Sequence, residues 1–224
     1  MPASFGRVHT TKDACYTGLE NINYRGITLY PHTLLALTLS LLGILSNTYA
    51  DEITDKCSEF FDGQQYDKAL IFCTQAAQQG DTKALFNLGI MYDYAQGVPQ
   101  DFKHAVDLYT KAAKQGHSNA QSHLGFMYDN GQGVTQDYKQ AALWYTKAAK
   151  KGVVQAQFYL GFMYLSGNGV IKDNAQAYAW LDMAAASGHE GATRSRGIVE
   201  RQATPQQIEQ GRELSSAYFK KYTK

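Results

Sequence analysis

Residues 124–134, LGFMYDNGQGV, decide the fold because the same pattern occurs three times at one spacing. LGIMYDYAQGV begins 36 residues upstream, at Leu88, and LGFMYLSGNGV begins 36 residues downstream, at Leu160. A phosphate-binding loop needs its glycines between a strand and a helix, in a longer pattern such as G-x-G-x-x-G. A loop made for one ligand is not expected three times, so we interpret the G-x-G turn as a structural part of a 36-residue repeat.

The first half of each repeat has the periodicity of one helix. Ala120, Leu124 and Tyr128 are four residues apart and therefore lie on one face. Gly125, beside them, allows a neighbouring helix to approach closely. The G-x-G-V turn then ends the helix, because its glycines adopt backbone angles that other residues resist, and its valine packs between helices.

The second half of each repeat predicts a second helix. Asp137 with Gln140, and Asp173 with Gln176, have the spacing of a capping box at a helix start, which is a structural role. The apolar face that follows consists of Ala141, Trp144, Tyr145, Ala148 and Ala149, and Gly152 caps the helix end.

Degenerate repeats flank the three full ones. Residues 54–80 keep the second-helix pattern behind a shortened turn, and residues 190–203 form one more helix. Thr204 then caps a last helix, with Pro205 at its first position and a capping glutamine at Gln207. Degenerate terminal repeats are expected in a solenoid, because they cover the apolar edges of the stack.

These patterns predict an all-α protein, a right-handed α-solenoid of about ten helices in five antiparallel pairs. An N-terminal capping helical hairpin is expected at residues 51–81, and three 36-residue repeats follow at residues 82–189. C-terminal capping helices are expected at residues 190–224.

Residues 1–50 are predicted to be a leader that is cleaved. The apolar run LLALTLSLLGIL at residues 34–45 is too short for a membrane span of roughly 20 residues, and it matches the core of a secretory signal peptide. Thr48 and Ala50 are small residues at positions −3 and −1, so we expect cleavage after Ala50 and no stable membrane anchor afterwards. An uncleaved anchor is the alternative interpretation.

The cysteines favour an oxidising compartment. Loss of the leader would remove Cys15 and leave Cys57 and Cys73 as a pair. The two lie at comparable distances from a turn at Asp62-Gly63, so an antiparallel helical hairpin would bring them face to face. A disulfide closing such a loop contributes roughly 3 kcal/mol in the chain-entropy model. A metal pair is the alternative, although no C-x-x-C motif or nearby histidine supports it.

No motif predicts catalysis, a metal site or a cofactor. His117 and His189 share a repeat position two repeats apart, too far to share a metal, and we interpret them as lone exposed histidines. The mature chain contains no S-x-x-K, S-D-N, K-T-G or G-x-S-x-G motif. Asp93 and Asp129 form the obvious carboxylate pair, but aspartates near helix ends are usually solvated rather than catalytic.

Charge argues against nucleic acid as a partner, because the formal net charge is +1 and no ladder of basic and aromatic residues occurs. The charge is nevertheless polarised. Residues 51–107 carry ten acidic and four basic side chains, while residues 108–224 carry eight and fourteen. Solvated helix faces explain this pattern, and electrostatic steering of a partner is the alternative.

The repeat resembles the Sel-1-like repeat family, the 36-residue relatives of tetratricopeptide repeats. The resemblance rests on A-x-x-x-L-G-x-x-Y, then G-x-G-V-x-x-D, then A-x-x-[LW]-Y-x-K-A-A-x-x-G, over roughly residues 54–190. The third repeat departs from it, with Ala-Tyr-Ala-Trp-Leu at residues 177–181. The closing TPQQIEQGRELSSAYFKKY is similar to the end of many bacterial secreted members.

This resemblance implies a superhelix used for protein–protein interaction. We therefore expect a non-catalytic adaptor, periplasmic or secreted, that binds a protein or peptide partner in a concave groove and needs no cofactor. Some cysteine-rich relatives have been described as penicillin-binding or weakly β-lactamase-like. A cell-wall-related or β-lactam-binding enzyme is therefore the alternative.

The resemblance also implies where the groove lies. In tetratricopeptide-like stacks the first helix of each pair lines the concave face, and positions beside the packed Leu-Gly-x-x-Tyr set look into it. The competing hypothesis is that the aromatic residues at these positions pack against the next repeat. The predicted groove residues, by repeat position, are Lys83, Asn119 and Gln155; Phe86, Ser122 and Phe158; Ile90, Phe126 and Phe162; and Asp93, Asp129 and Leu165.

Overall fold

The computed structural model of the chain describes residues 22–24, 27–29 and 50–222. The chain divides into two units, Met1–Tyr49 and Ala50–Lys224. In the first unit, strands β1 (Ile22–Tyr24) and β2 (Ile27–Leu29) pair antiparallel, a hairpin that was not predicted. The predicted signal-peptide core at residues 34–45 lies outside the described residues.

Residues 50–222 fold into ten helices without a strand. None of the helices in the described part of the chain is both long enough and apolar enough to cross a membrane. The helices are α1 (50–62), α2 (Tyr66–Gln78), α3 (Thr82–Asp93), α4 (Phe102–Lys114), α5 (Ser118–Asn130), α6 (Tyr138–Ala149), α7 (Val154–Ser166), α8 (Asn174–Ala186), α9 (Glu190–Gln202) and α10 (Pro205–Tyr222).

The helices recur with the period of the sequence. Helices α3, α5, α7 and α9 begin 36 residues apart, and so do α2, α4, α6 and α8. Each helix from α2 to α8 packs on the next one along the chain. The predicted all-α solenoid of helix pairs is therefore confirmed. We call the odd-numbered helices A helices and the even-numbered ones B helices.

The A helices lie on the inner side of the stack. Helix α7 contacts α5 and α9, the A helices of the two neighbouring repeats, in addition to α6 and α8. Neighbouring B helices from α2 to α8 make no comparable contact within the described residues. Because helices on the inside of a curved stack are closer together than those on the outside, these contacts place α5, α7 and α9 on the inner side.

Each full repeat is held together where a glycine of the A helix meets a large side chain of the B helix. A Cβ atom added to Gly125 would lie 2.7 Å from Tyr145 Cδ1, closer than atoms pack. The missing Cβ therefore lets a fully buried side chain lie directly on the helix backbone, the close approach expected for Gly125. The three pairs are Gly89 with Tyr109, Gly125 with Tyr145, and Gly161 with Leu181.

The G-x-G-V turn joins neighbouring repeats. Gly133 has a φ of +70°, a conformation that favours glycine, and a Cβ added there would lie 2.4 Å from the carbonyl oxygen of Phe102. Phe102 begins α4, so the turn of one repeat packs directly on the B helix of the preceding repeat. Val134, which follows, packs against the core. The structural interpretation of the turn is confirmed.

The predicted helix caps are present. Asp137 accepts hydrogen bonds from the backbone amides of Lys139 at 2.9 Å and Gln140 at 3.0 Å. At the start of α10, Thr204 Oγ1 accepts a hydrogen bond from the Gln207 amide at 3.2 Å, and Gln207 Oε1 accepts one from the Thr204 amide at 3.0 Å. This reciprocal pair satisfies two amides that the helix itself leaves unpaired.

A disulfide bond closes the N-terminal end of the solenoid. Cys57 on α1 and Cys73 on α2 form the bond that was predicted for this hairpin, and both residues are buried. The rings of Phe60 and Phe72 stack nearby, with their centroids 5.3 Å apart. The cross-link thus supports a terminal hairpin that has another repeat on one side alone.

Helix α10 closes the C-terminal end by packing on α8 rather than on α9, which differs from the predicted fifth pair. The ring of Tyr218 stacks on Trp180 with the centroids 4.5 Å apart. A Cβ added to Gly211 would lie 2.7 Å from Tyr178 Cβ, so this helix pair also meets at a glycine. Helix α10 therefore covers the apolar side of the last full repeat, as a capping helix must.

Gly125→Ala tests the close crossing of the two helices. The added Cβ would overlap the Tyr145 ring. We therefore expect the free energy of unfolding to fall by about 1 to 3 kcal/mol, although alanine is favoured over glycine by about 1 kcal/mol in a helix interior. Urea denaturation followed by circular dichroism measures this change.

Gly197→Ala is the matched control, because Gly197 has the same repeat position on α9 but no crowded neighbour. The nearest atom to an added Cβ is Arg201 Nη1, 3.7 Å away. The higher helix propensity of alanine is therefore the main effect, and we expect the free energy of unfolding to rise by roughly 0.5 to 1 kcal/mol. Equal effects of the two substitutions would show that the crossing is not the constraint.

Candidate functional site

The structure divides the predicted groove residues, all on the A helices, into exposed and packed positions. The exposed ones are Lys83, Asn119, Gln155 and Phe162. The half-buried ones are Phe86, Phe158, Ile90, Phe126 and Asp129, and the buried ones are Asp93, Ser122 and Leu165. The structure therefore leaves some of these side chains open to a partner and places the others within the fold.

Histidine caps and phenylalanine rings join neighbouring A helices at two positions. His117 Nδ1 accepts a hydrogen bond from the Ala120 amide at 3.1 Å, and the imidazole ring stacks on Phe86 with the centroids 4.6 Å apart. His189 caps α9 in the same way and stacks on Phe158 at 4.4 Å. The interpretation of these two residues as lone exposed histidines is wrong, because each caps a helix and packs against the preceding repeat.

The middle repeat lacks this stack, and a pocket opens there. Ser122 stands where the neighbouring repeats have phenylalanine, and Val153 stands where they have histidine. A pocket of about 350 Å³ lies beside Ser122, between the end of α3 and helices α5 and α7. This volume is near the lower end for small-ligand sites, which measure roughly 300 to 1,000 Å³. The lining residues are Tyr94, Ser122, His123, Phe126, Gln155 and Tyr159.

Half of these lining residues were predicted from the sequence, namely Ser122, Phe126 and Gln155. Tyr94 was missed because it is the C-cap of α3, and the residues at the same position of the next two repeats, Asn130 and Ser166, are not aromatic. His123 and Tyr159 were missed because they directly precede the packed leucine of their repeats. The sequence did contain a pattern that could have identified them, because His123 and Tyr159 place a ring at the same position of two repeats.

Two carboxylates belong to residues near the pocket lining, and neither is itself part of that lining. Asp93 Oδ2 accepts a hydrogen bond from the Tyr109 hydroxyl at 3.0 Å and is 3.9 Å from Nδ1 of the lining residue His123. Asp129 has the same position in the next repeat, one helical turn after Phe126. Burial raises the pKa of Asp129 above its ordinary value. Among the described residues, no hydrogen bond or ion pair to its carboxylate occurs.

Tyr145 is the counterpart of Tyr109, but its buried hydroxyl has no hydrogen-bond partner in the described part of the chain. Its ring stacks on the lining residue Tyr159, with the centroids 5.1 Å apart. Burial, and then the negative charge of Asp129, raise the pKa of Tyr145 far above its ordinary value, so the hydroxyl stays protonated. A carboxylate and a hydroxyl at equivalent positions are thus bonded to each other in one repeat and unpaired in the next.

The groups at the pocket suit binding. They are aromatic rings, hydroxyls, an imidazole and an amide, with two carboxylates on residues near the lining. Residues 50–222 contain no cluster of three His, Cys, Asp or Glu side chains placed to hold a metal ion. Across the same residues, no serine hydroxyl is hydrogen-bonded to a lysine or histidine side chain, the pairing that activates a serine nucleophile.

The chain belongs to the Sel1 repeat family. The family model, Sel1 repeat, matches residues 61–81, 82–117, 118–153 and 154–189, which together make up more than half of the chain. Proteins built from Sel1 repeats are typically scaffolds for protein interaction. No curated protein was found to be similar to this chain.

The solved structures that are similar to the chain include two Sel1-type repeat proteins. The protein c5321, a protective antigen present in uropathogenic Escherichia coli strains displaying an SLR fold, is 40% identical, with a TM-score of 0.65 over 69% of this chain and 33% of c5321. A Sel1 repeat protein from Oxalobacter formigenes is 30% identical, with a TM-score of 0.60 over 63% of this chain and 58% of that protein. The match thus spans about a third of the first protein and somewhat more than half of the second.

His117→Asp tests the histidine cap through its pH dependence. Burial lowers the pKa of His117 below its ordinary value, so the folded state binds the proton less well than the unfolded state. The stability of the wild-type protein should therefore fall as the pH decreases from about 6.5 through the folded-state pKa, with the cap worth about 1 kcal/mol. Aspartate is the residue that caps the preceding repeat, at Asp81. The ordinary pKa of an aspartate side chain is about 3.9, so an aspartate cap is not expected to titrate between pH 7 and pH 5.

We expect the melting temperature to fall more between pH 7 and pH 5 for the wild-type protein than for the variant. Scanning calorimetry of both proteins in matched buffers measures the difference. Other titrating groups affect both proteins and cancel in the comparison. Identical slopes would mean that protonation of His117 does not weaken the cap.

Proposed function

We propose that the protein is an exported, non-catalytic adaptor that binds an extended or helical segment of a partner protein along the inner face of the A helices. The observation that carries this proposal is a row of aromatic side chains on that face. Tyr94 is 58% exposed and Phe162 is 47% exposed, and Phe126 lies half-buried on the helix between them. Aromatic side chains commonly dominate the affinity of protein interfaces.

The competing hypothesis, in which the rings only pack between repeats, accounts for part of the set. Phe126 contacts the ring of Tyr159, with the centroids 6.1 Å apart, and Phe86 and Phe158 stack on histidines. Packing does not account for Phe162, which keeps nearly half of its surface exposed. The proposed binding surface therefore centres on Tyr94, Phe162 and the pocket between them.

Export is supported by two features. The first is the predicted signal peptide in residues 1–50, with cleavage after Ala50. The second is the buried Cys57–Cys73 disulfide, because structural disulfides persist in oxidising compartments. We therefore propose a periplasmic or secreted protein without a stable membrane anchor.

A cell-wall-related or β-lactam-binding enzyme is the other function that the family resemblance implies. No residue pairing in the described part of the chain favours it. Covalent labelling of the purified protein by a fluorescent penicillin would contradict the non-catalytic proposal, because such labelling requires an activated serine.

Phe162→Ser tests the groove. Peptides selected from a displayed library of random sequences on the full chain should bind the variant at least about tenfold more weakly, because an exposed aromatic anchor is lost. Titration of labelled peptides by fluorescence anisotropy measures the affinity. The melting temperature should hardly change, since the side chain is not enclosed.

Ile71→Ser is the matched control for this test. Ile71 lies on a B helix and is 59% exposed, so the substitution removes comparable apolar surface away from the groove. Its peptide affinity should equal that of the wild-type protein. Failure to select any peptide, or equal weakening by the two substitutions, would overturn the groove as a binding site.

Export has its own test. The full-length chain produced in a bacterial host should lose its leader, and intact-mass spectrometry of the envelope fraction should show a chain that begins at Asp51. The same spectrum should show a chain that is two hydrogen atoms lighter than the reduced chain, because Cys57 and Cys73 are joined. An intact N-terminus with both thiols free would contradict export.

A further inference from the structure

We infer that the pocket between α3, α5 and α7 receives a cationic side chain, an arginine or a lysine, of the bound partner segment. This inference rests on the proposed function and specifies the chemistry of the partner residue that enters the pocket. Three features carry it: carboxylates near the pocket lining that have no lysine or arginine partner, aromatic walls and a steric opening.

The first feature is negative charge without a cation of the protein's own. Neither Asp93 nor Asp129 forms an ion pair with a lysine or arginine among residues 50–222. The nearest basic group to Asp93 is the imidazole of His123, with Nδ1 3.9 Å from Oδ2. A half-buried carboxylate loses hydration, and without a hydrogen bond nothing compensates for that loss. Asp129 is in this situation, and a bound cation would compensate for it.

The second feature is the aromatic wall. Tyr94, Phe126 and Tyr159 present rings to the same pocket. The face of an aromatic ring carries partial negative charge, so rings and carboxylates together favour a cation over a neutral or anionic group. Arginine suits this combination best, because its planar guanidinium stacks on rings and donates paired hydrogen bonds to a carboxylate.

The third feature is the space at Ser122. In the neighbouring repeats this position holds Phe86 and Phe158, each stacked on the histidine that caps the next A helix. The next repeat also lacks the carboxylate, since Leu165 takes the place of Asp129. The middle repeat therefore combines the opening with the negative charge.

Ser122→Phe tests the steric part of the inference. It places in the middle repeat the side chain that both neighbouring repeats already hold, so the solenoid should fold, as circular dichroism will check. Peptides selected from a random library on the full chain should contain an arginine or lysine at one fixed position. Selection on Ser122→Phe should lose that enrichment, because the pocket is filled.

Asp129→Asn tests the charge. For a selected peptide, replacing the fixed arginine by citrulline, which has nearly the same shape without the charge, should weaken binding to the wild-type protein by at least about tenfold. The Asp129→Asn variant should bind the two peptides with similar affinity. Asp107→Asn, at an exposed aspartate of α4, is the matched control and should discriminate like the wild-type protein.

The outcomes separate this inference from the proposed function. Peptides that depend on Phe162 but show no basic residue at a fixed position would overturn the inference and leave the groove in place. The inference would also be overturned if the wild-type protein and Asp129→Asn preferred the arginine peptide over the citrulline peptide by the same factor. A complete absence of selected peptides would overturn both, whereas lost discrimination in Asp129→Asn alone would support both.

Discussion

The contact between a glycine of the A helix and a large side chain of the B helix is the constraint on which the stack depends. Glycine in a helix interior costs about 1 kcal/mol relative to alanine. In return Tyr109 lies against the bare backbone of α3 and is completely buried, and its hydroxyl donates a hydrogen bond to Asp93. Burying a large apolar side chain is worth roughly 1.5 to 3 kcal/mol, so the close contact stabilises the pair despite the glycine. Every later feature of the repeat takes its position from this crossing.

The crossing places the residue four positions after the glycine near the end of the partner side chain. In the first full repeat that residue is Asp93, which accepts the hydrogen bond of the Tyr109 hydroxyl. In the third repeat both polar groups are replaced by leucines, and exchanging both partners for apolar groups costs little. In the middle repeat Asp129 and Tyr145 both keep their polar groups, and neither has a hydrogen bond among the described residues. Buried polar groups are normally hydrogen-bonded, and exceptions in natural proteins are expected at functional sites. The unsatisfied pair therefore fits a binding site in the middle repeat.

The sequence predicted the helices, their pairing and their caps, because each depends on residues close together in the chain. The Thr204 and Gln207 cap is an example. It did not predict the role of His117, since histidine caps rarely and its ring meets Phe86 in another repeat. Tyr94 was missed for the same reason, because its place in the groove depends on how two repeats stack. Contacts within a repeat follow from periodicity, whereas contacts between repeats depend on distances that periodicity does not contain.

The middle junction lacks two interactions that join its neighbours. Val153 provides no side-chain cap for α7, and a missing cap costs about 1 kcal/mol. Ser122 provides no ring to stack on the next repeat, so α5 and α7 are joined there through Phe126 and Tyr159. A side chain that entered the pocket would contact both helices where the Phe–His stack does so elsewhere. Because a ligand stabilises the state that it binds, occupancy would then strengthen a junction that has neither the side-chain cap nor the Phe–His stack.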